Sequence, residues 1–478
     1  MLGRVSLTLP ASASAVPLAE AVAVRLCTEA GVEGDGTERL VAAVRCLVAF
    51  SVERSYGGTG GGDVELGLEL DERGIAVDVH DWGVPMRRAG GPDGPLPEGL
   101  EAAEAAGDDV RLINLADDGK RLTLHVPAVH AIPIGARVVD GAADEARSAR
   151  TGATAEIAIR DATHGDSTAI AQLLYRGYSF NYRHRDFYTP RWIEAQFDAG
   201  HVVSTVAEAD GQVIGHHALL LDAPGEAAES GVAVIDRAWR GLGLFDRLFE
   251  HTVERARGLG LPALYGRATC AHVYSQRSEF KHGYRETALL LGGSPPAMAQ
   301  AQTGEADGHT ERGANLISYL ALGAAAPRAV HLPAPYADDL RRLYGHLGLA
   351  LGDPDPSAEP CPVPDDVELE GEDGTARLWL SGDHDHHALE RVLRGDGGRL
   401  ADVVYADVDL TVPAGATVEA LRESGFFLSG LLHAARGGRD WLRLQRPQAP
   451  TQTAGLHLEG DTGQWLLERV LADRATVS

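Results

Sequence analysis

The sequence predicts a multidomain α/β protein with about three folded domains. Its 478 residues exceed the roughly 250 at which one hydrophobic core tends to split into several. Apolar residues make up 44% of the chain and charged residues 23%, which are ordinary values for globular proteins. Runs with strand-like and helix-like periodicity follow one another along the chain, and this mixture is typical of α/β domains.

Two interruptions of the apolar periodicity divide the chain. Residues 132–154 are rich in alanine, glycine and charge, and a proline-containing stretch follows Gly323. We therefore expect a first domain over 1–131, a linker over 132–154, a second domain over 155–323 and a third over 324–478. The glycine-containing stretch 292–313 lies between two strand-like runs, so it is predicted to be a long loop inside the second domain.

Each domain has its own predicted order of elements. In the first, a strand precedes helices over 17–30 and 37–56 and then three further strands, which suggests an α/β sandwich. In the second, we expect helices over 166–176, 190–199 and 244–259 between the strands of a mixed sheet. The third repeats a shortened version of this order, with helices from residue 337, over 386–394 and over 416–424. The last two domains are therefore predicted to be related.

The net charge, the cysteines and the pattern of apolar residues argue against several classes of partner and location. The formal net charge of -26 opposes binding to nucleic acid or to an anionic membrane. The four cysteines lack CxxC spacing and are interpreted as free thiols. No window approaches the 18 or so apolar residues of a membrane span, and polar residues interrupt the N-terminus where a signal peptide would have its apolar core. A cytoplasmic location is expected.

A glycine-rich turn in the second domain carries the strongest functional signal, in the sequence WRGLGLFDRL (239–248). A strand leads into it and a helix follows it. Gly241 and Gly243 would let the backbone close around an anion at the helix N-terminus, and Arg240 adds a positive charge. Taken alone, the same pattern is equally typical of a plain turn.

The surrounding order of elements resembles the GNAT acyltransferases over about 155–323. Arg240 and Gly243 match the family motif Arg/Gln-x-x-Gly-x-Gly/Ala, and Gly283 followed by an aromatic residue matches its later Gly-Phe. Phe245 departs from the motif, because it replaces a small residue. The resemblance implies acetyl-CoA or another acyl-CoA as cofactor, with pyrophosphate on the amides of 241–246 and pantetheine between strands near 232–235 and 263–268. The cofactor-binding residues that it implies are Val234, Ile235, Arg240, Gly241, Leu242, Gly243, Leu244, Phe245, Asp246 and Ser275.

Candidate catalytic residues follow from the same resemblance. The family often has a glutamate on the strand before the phosphate loop as base, and Glu229 is the candidate, although it could equally be a solvated end of an acidic loop. Many members have a tyrosine as acid four residues before the Gly of Gly-Phe, but here Glu279 takes that position and His272 replaces a common Asn. Tyr274, and after it Tyr284, are the substitutes, unless both are packing residues.

The acceptor side of this domain is predicted in the aromatic and basic stretch 177–192. Such a stretch could line a pocket for a polar or carboxylated acceptor, or it could be a packing seam between helices.

The first domain resembles the histidine-kinase-like ATPase fold of anti-sigma-factor kinases. Asp81 and Gly83, in the sequence HDWGVPM (80–86), match the motif in which an Asp binds adenine. Cys46 and Phe50 stand where that family has its catalytic Glu and its Mg-binding Asn, and the glycine-rich lid is missing. We therefore expect a degenerate module without ATP or Mg²⁺ that docks a protein partner or the neighbouring domain, with residual nucleotide binding through Asp81 as the alternative.

Two features remain in the third domain. Its closing strands resemble those of a GNAT domain, but no Arg-Gly-x-Gly precedes its helix, so a degenerate GNAT-like fold is expected.

The cluster Asp383, His384, Asp385, His386 and His387 could bind a metal, although its spacing does not place the side chains on one face of a helix and aspartates commonly cap helix starts. No metal site is predicted.

The leading function is transfer of an acyl group, with acetyl expected, from CoA to the amine of a small molecule or protein. Two alternatives stay open. The first is a regulatory protein that senses acyl-CoA and binds a partner without turnover. The second is a GNAT-fold enzyme with other acyl-thioester chemistry, such as decarboxylation.

Overall fold

The structure is a computed structural model that describes residues 4–32, 34–57, 61–71, 74–86, 95–115, 119–127, 156–178, 180, 182–296, 311–323, 326–363, 368–370, 374–384, 386–393 and 401–477. The predicted linker 132–154 and most of the predicted loop 292–313 lie outside these residues. Within them, every helix is too short or too polar to cross a lipid bilayer.

The N-terminal domain is a five-stranded antiparallel sheet with helices packed against it. Its strand order is β1-β2-β3-β5-β4. Its elements are β1 (Arg4–Pro10), α1 (Ala15–Ala30), α2 (Asp35–Phe50), β2 (Asp63–Asp71), β3 (Gly74–Asp81), α3 (Glu101–Ala106), β4 (Asp108–Asn114) and β5 (Lys120–Pro127). The helix predicted over 37–56 changes to a π-helical turn at Ser51–Ser55. α3 and β4 were not predicted.

The central domain forms the larger half of a twelve-stranded sheet, with seven strands in the order β11-β12-β10-β9-β8-β7-β6. Its elements are β6 (Ile157–Asp161), α4 (Ser167–Tyr178), α5 (Pro190–Ala199), β7 (Val202–Ala209), β8 (Gln212–Leu220), β9 (Ala228–Ile235), α6 (Leu244–Gly258), β10 (Ala263–Thr269), α7 (Tyr274–Lys281), β11 (Arg285–Ser294) and β12 (Gly313–Ala321). β9 and β10 are parallel, whereas the other neighbours in this half are antiparallel. The predicted mixed sheet is confirmed.

The C-terminal domain supplies the other half of the sheet, in the order β15-β16-β17-β19-β18. Its elements are β13 (Arg328–Ala329), α8 (Ala337–Leu347), β14 (Leu351–Gly352), β15 (Glu368–Glu370), β16 (Thr375–Leu380), α9 (His386–Leu393), β17 (Val403–Asp409), α10 (Gly415–Glu423), β18 (Phe427–Leu432), β19 (Trp441–Pro447) and α11 (Gly460–Val477). α11 was not predicted. The parallel pair β16–β17 followed by antiparallel β19 and β18 has the same order as β9, β10, β12 and β11.

The two halves of the large sheet meet where β11 lies antiparallel to β18. Ala288 pairs with Gly430 at this point. Gly430 has a φ of 148°, and a Cβ there would lie 2.0 Å from the carbonyl oxygen of Thr287. A side chain is therefore incompatible with this backbone approach, and the sheet can continue across the seam because residue 430 is glycine.

The N-terminal domain contacts the central domain through the segment after β3. Gln172 on α4 donates a hydrogen bond of 2.9 Å to the carbonyl oxygen of Trp82. Val84 is buried in the same apolar cluster as Ile170 and Leu173 of α4. The segment predicted to bind adenine therefore lies against the neighbouring domain.

Candidate active site

The parallel strands β9 and β10 diverge and open a slot in the central sheet. They pair only at Ala228 with Leu264 and at Glu229 with Tyr265. Beyond these pairs, the register of β9 against β8 shifts by one residue, and Val232 in the resulting bulge has a φ of 50°. A bulge bends its strand and increases the local twist, and this one lies just beyond the point where the pairing of β9 with β10 ends.

The glycine-rich turn lies at the end of this slot. Gly241 and Gly243 have φ values of 82° and 68°, in the left-handed region that favours glycine. A Cβ at either position would have no atom within 4 Å, so backbone conformation rather than crowding requires glycine here. Gly243 precedes α6, and among the described residues no side chain caps this helix end. The first amides of α6 are therefore available to an anion.

A cavity of about 810 Å³ extends from the glycine-rich turn to the paired ends of β9 and β10. Its lining includes most of the predicted cofactor-binding residues, namely Val234, Ile235, Arg240, Gly241, Gly243, Leu244, Phe245 and Ser275. Leu242 is exposed and does not line it. Asp246 accepts hydrogen bonds from Lys281 and His282 at 2.5 and 2.8 Å and is also outside the lining. Their assignment as cofactor-binding residues stays a prediction.

Phe245, which departs from the family motif, contributes to an aromatic wall of the cavity. Its ring centroid lies 5.7 Å from that of His217 and 6.2 Å from those of Phe249 and His282. His217 is fully buried, and burial lowers its pKa to about 3. This imidazole is therefore neutral at physiological pH, and the wall is uncharged at that position.

Glu229, the predicted base, is buried at the point where β9 and β10 part, not solvated at the end of a loop. Arg183 and His184 donate to its carboxylate at 3.0 and 3.1 Å, and the Tyr265 hydroxyl lies 3.5 Å away. Burial alone would raise the pKa of Glu229, but Arg183 and His184 outweigh it and hold the pKa well below its usual range. Glu229 is therefore an ionised carboxylate facing the cavity.

The segment 177–192 contains both kinds of residue that the sequence suggested. Tyr182, Arg183 and His184 line the cavity. Phe187 and Tyr188 are instead buried in the apolar cluster that holds α4 and α5 against the sheet. The contacts of Arg183 and His184 with Glu229 were not predicted, because a contact across 45 residues leaves no local signal in the sequence.

The candidate acids occupy different positions. Tyr274 lines the rim of the cavity, but 73% of its surface is exposed. Tyr284 is buried in the lining, and burial raises its pKa above the usual range. Glu279, which takes the sequence position of the family's tyrosine, also lines the cavity. Burial raises its pKa to about 8.

Asp81, the predicted adenine ligand of the N-terminal domain, is fully engaged inside that domain. Lys120 donates to one of its oxygens at 2.5 Å, as does the backbone amide of Gly83 at 3.0 Å, and Ser55 donates to the other at 3.2 Å. Lys120 also donates to the carbonyl oxygen of Val84 at 2.8 Å. Lys120 therefore fills the space beside the carboxylate, where an adenine amino group would have to bind.

The remaining predicted features have structural partners. Asp383 accepts from the amide of Ala416, and the amide of His384 donates to Thr417. Asp385 and the His386 side chain lie outside the described residues, and no three potential metal ligands cluster within the part of the chain that the structure describes. All four cysteines are free thiols.

Comparison with known proteins identifies the central region. Residues 167–278 match the model of the acetyltransferase (GNAT) family. A search of curated proteins finds no match. The chain therefore contains a GNAT-type acyltransferase domain, and this family uses acyl-CoA.

Solved acetyltransferases overlap about a third of the chain. A ribosomal-protein-S18-alanine N-acetyltransferase from Escherichia coli is 15% identical, with 36% of this chain and 97% of that chain covered and a TM-score of 0.28. An N-acetyltransferase from Staphylococcus aureus is 17% identical, with coverages of 35% and 99% and a TM-score of 0.29.

Proposed function

We propose that the cavity of the central domain binds an acyl-CoA, with acetyl-CoA expected, and transfers the acyl group to the amine of a small molecule or protein. One observation carries the proposal. A single cavity joins a turn with free helix amides, suited to phosphate, to a buried ionised carboxylate, suited to an ammonium group. Because CoA has its pyrophosphate and its thioester at opposite ends, it needs both kinds of site in one continuous cavity.

In this proposal the cofactor lies along the slot. The backbone amides at Gly241, Gly243 and Leu244 receive the pyrophosphate, and Arg240 lies beside them in the lining. The pantetheine arm passes between the diverging strands, where Val234 and Ile235 belong to β9. The thioester then lies near Glu229, where the two strands begin to pair.

Glu229 and His184 together form the base side of the proposed reaction. An amine attacks only after its ammonium group has lost a proton. The low pKa of Glu229 makes this carboxylate a good partner for an ammonium group but a weak proton acceptor. The imidazole of His184, 3.1 Å from Glu229, accepts the proton, and the carboxylate orients the ring as in other carboxylate–histidine pairs.

Titration calorimetry with acetyl-CoA tests the cofactor site, with a matched pair of variants. Gly243→Trp fills the phosphate position, whereas Gly260→Trp places the same side chain at the opposite end of α6. Both glycines have a left-handed φ and open space around them, so the backbone strain is alike. We expect binding by the wild type and Gly260→Trp and loss of binding in Gly243→Trp. No binding by the wild type, or equal binding by both variants, would contradict the site.

We further propose that the C-terminal domain is a degenerate second GNAT-like unit that completes the sheet. The support is the shared strand order of the two halves, together with the absence of an Arg-Gly-x-Gly sequence between β16 and α9. If it completes the sheet through the seam, Gly430→Val should unfold the central and C-terminal domains together in a thermal scan. Unfolding of the C-terminal domain alone would contradict this role.

For the N-terminal domain, we propose a degenerate ATPase-like module that docks the neighbouring central domain, with a protein partner as the alternative. Lys120 in the would-be adenine position and the contact of Trp82 with Gln172 support this proposal. Calorimetry with ATP and Mg²⁺ should give no binding heat, and saturable binding abolished by Asp81→Asn would contradict it.

A further inference from the structure

Glu279 lines the cavity, and its carboxyl group lies over a position where β10 has no side chain. Glu279 is on α7, and a Cβ added to Gly266 of β10 would be 2.4 Å from its Oε1 atom. Ser318 on β12 donates a hydrogen bond to the other oxygen. The carboxyl group of Glu279 therefore packs against Gly266 of β10, one of the two strands that border the slot, and is hydrogen-bonded to Ser318 of β12.

The charged groups around Glu279 favour its protonated form. Burial is the largest cause of its raised pKa, and the negative charge of Glu229 on β9 raises it further, against the opposing hydrogen bond from Ser318. Tyr284, before β11, also interacts with Glu279 and is neutral because burial raises its own pKa. The positive charge of Arg267 on β10 lowers the pKa of Glu229 and so favours the ionised form of Glu229.

Two carboxyl groups in one cavity thus have opposite protonation states at neutral pH. Glu229 is ionised, because its basic partners lower its pKa, whereas Glu279 keeps its proton up to a pH of about 8. Environments that push two pKa values apart in this way are how active sites divide acid and base roles between two carboxyl groups. The pKa of a free thiol, roughly 8.5 for cysteine, is close to that of Glu279, which suits proton transfer between the two.

The other acid candidates are less suited to this role. Tyr274 is largely exposed at the cavity rim, where water can reach its hydroxyl. Tyr284 is buried but holds its proton more tightly than an ordinary tyrosine.

We propose that Glu279 is the general acid that protonates the departing CoA thiolate. This inference rests on the function proposed above. The amine nitrogen forms a bond to the thioester carbonyl carbon, the carbon–sulfur bond breaks, and its electron pair leaves on sulfur. Glu279 then gives its proton to sulfur, and the resulting carboxylate takes a proton from solvent. The nitrogen loses two protons in all. The proton that His184 takes from the ammonium group before the attack is released to solvent, and the proton lost from nitrogen as the amide forms balances the one that Glu279 gives to sulfur.

Infrared spectroscopy of the full chain tests the protonation state without any ligand. The carbonyl stretch of a protonated carboxyl group should disappear with a midpoint near pH 8 in the wild type and be missing in Glu279→Gln. Two further variants should move this midpoint in opposite directions. Ser318→Ala removes a hydrogen bond that favours the ionised form of Glu279, so the midpoint should rise. Glu229→Gln removes a neighbouring negative charge, so the midpoint should fall. A midpoint at the usual value of about 4.3 would overturn the inference.

Thiol release from acetyl-CoA with a panel of amines tests the catalytic role. We expect kcat of Glu279→Gln to fall by about 10²- to 10⁴-fold, with an unchanged KM for acetyl-CoA. Wild-type kcat should fall as pH rises through about 8, since the acid form is lost, and Glu279→Gln should lack this decline. Gly266→Ala, which displaces the carboxyl group but keeps it, should reduce kcat as well.

The control for these assays is Glu254→Gln, because Glu254 is exposed on α6 away from the cavity lining. It should retain wild-type kcat and pH dependence. Acetyl-CoA binding separates the two proposals. If the wild type binds acetyl-CoA but Glu279→Gln keeps wild-type kcat and its alkaline decline, only the role of Glu279 fails. If the wild type does not bind acetyl-CoA at all, both proposals fail.

Discussion

The N-terminal and central domains each bury a carboxylate beside a basic partner, yet the two arrangements differ in the space around them. Asp81 is enclosed by Lys120, Ser55 and the amide of Gly83, which use both of its oxygens. Glu229 is held by Arg183 and His184 but faces a cavity of about 810 Å³. A buried ion pair is therefore structural where it is enclosed, and it becomes a candidate for chemistry where it borders open space.

The two ion pairs also differ in what burial does to their charges. Burial is the largest influence on Lys120 and lowers its pKa despite the adjacent Asp81. In the central domain, two basic groups outweigh the burial of Glu229 and keep it ionised. The N-terminal pair thus depends on both partners being present, because either charge left alone in that interior would be strongly unfavourable.

Breaking the enclosed pair should have the largest effect on stability. Lys120→Met leaves Asp81 buried without its counterion, and we expect the free energy of unfolding of the N-terminal domain to fall by about 3–5 kcal/mol. Urea denaturation measures this loss. The double variant Lys120→Met with Asp81→Leu should recover most of it, since no charge remains buried. A loss below about 1 kcal/mol would contradict the structural role.

Removing the charge of Glu229 at the cavity should reduce the rate of turnover. Glu229→Gln keeps the shape of the side chain but removes the charge that attracts the ammonium group and orients His184. We expect kcat to fall by about 10²- to 10⁴-fold, with little change in acetyl-CoA affinity. Stopped assays of thiol release measure it, with Glu250→Gln on the exposed face of α6 as control. Equal activity of the two variants would remove Glu229 from the reaction.

The two cavity carboxyl groups should give stability opposite dependences on pH. The pKa of Glu229 is lowered by folding, so its contribution is present above the unfolded pKa of about 4.3 and is lost as pH falls below it. The pKa of Glu279 is raised to about 8, so its contribution is lost as pH rises from about 4.3 to 8.

The matching glutamine variants separate these contributions, each at most about 1.4 kcal/mol per pH unit. Glu229→Gln should lose less stability than the wild type on acidification below about pH 4.3. Glu279→Gln should gain stability relative to the wild type as the pH rises towards 8. Thermal unfolding midpoints across this range measure both trends, and parallel pH profiles for all three proteins would refute the opposite charge states.

The contact between the two domains should contribute least. Gln172→Ala removes the hydrogen bond to the carbonyl oxygen of Trp82, which is worth about 1 kcal/mol. Hydrogen exchange should become faster at Val84, next to the contact, while acetyl-CoA affinity stays unchanged. An effect on affinity would show that the N-terminal domain influences the cavity.

Local patterns predicted much of the central domain. The helix predicted over 190–199 is present as α5. Both of its ends have a local signal, because Pro190 suits a first helical position and Gly200 ends the helix in a left-handed conformation. α3 and β4 were missed, since their short, acidic and alanine-rich stretch has little apolar periodicity. α11 was missed as well, because its apolar residues do not follow a single stripe in the sequence.

The site was predictable only where its residues are close in sequence. Gly241 and Gly243 carry a local signal, because left-handed backbone at a helix start favours glycine. The partners of Glu229 come from a segment 45 residues away, and the space for Glu279 depends on Gly266 and Ser318 on two other strands. Such contacts arise from tertiary packing and leave no spacing that could be recognised in one sequence.

A crystal structure of the full chain with acetyl-CoA tests the central claim most directly. We predict pyrophosphate on the amides around Gly241 and Gly243, pantetheine between β9 and β10, and a thioester between Glu229 and Glu279. The enclosed pair of Asp81 and Lys120 should remain unchanged. Acetyl-CoA bound elsewhere, or a thioester remote from both glutamates, would contradict the account.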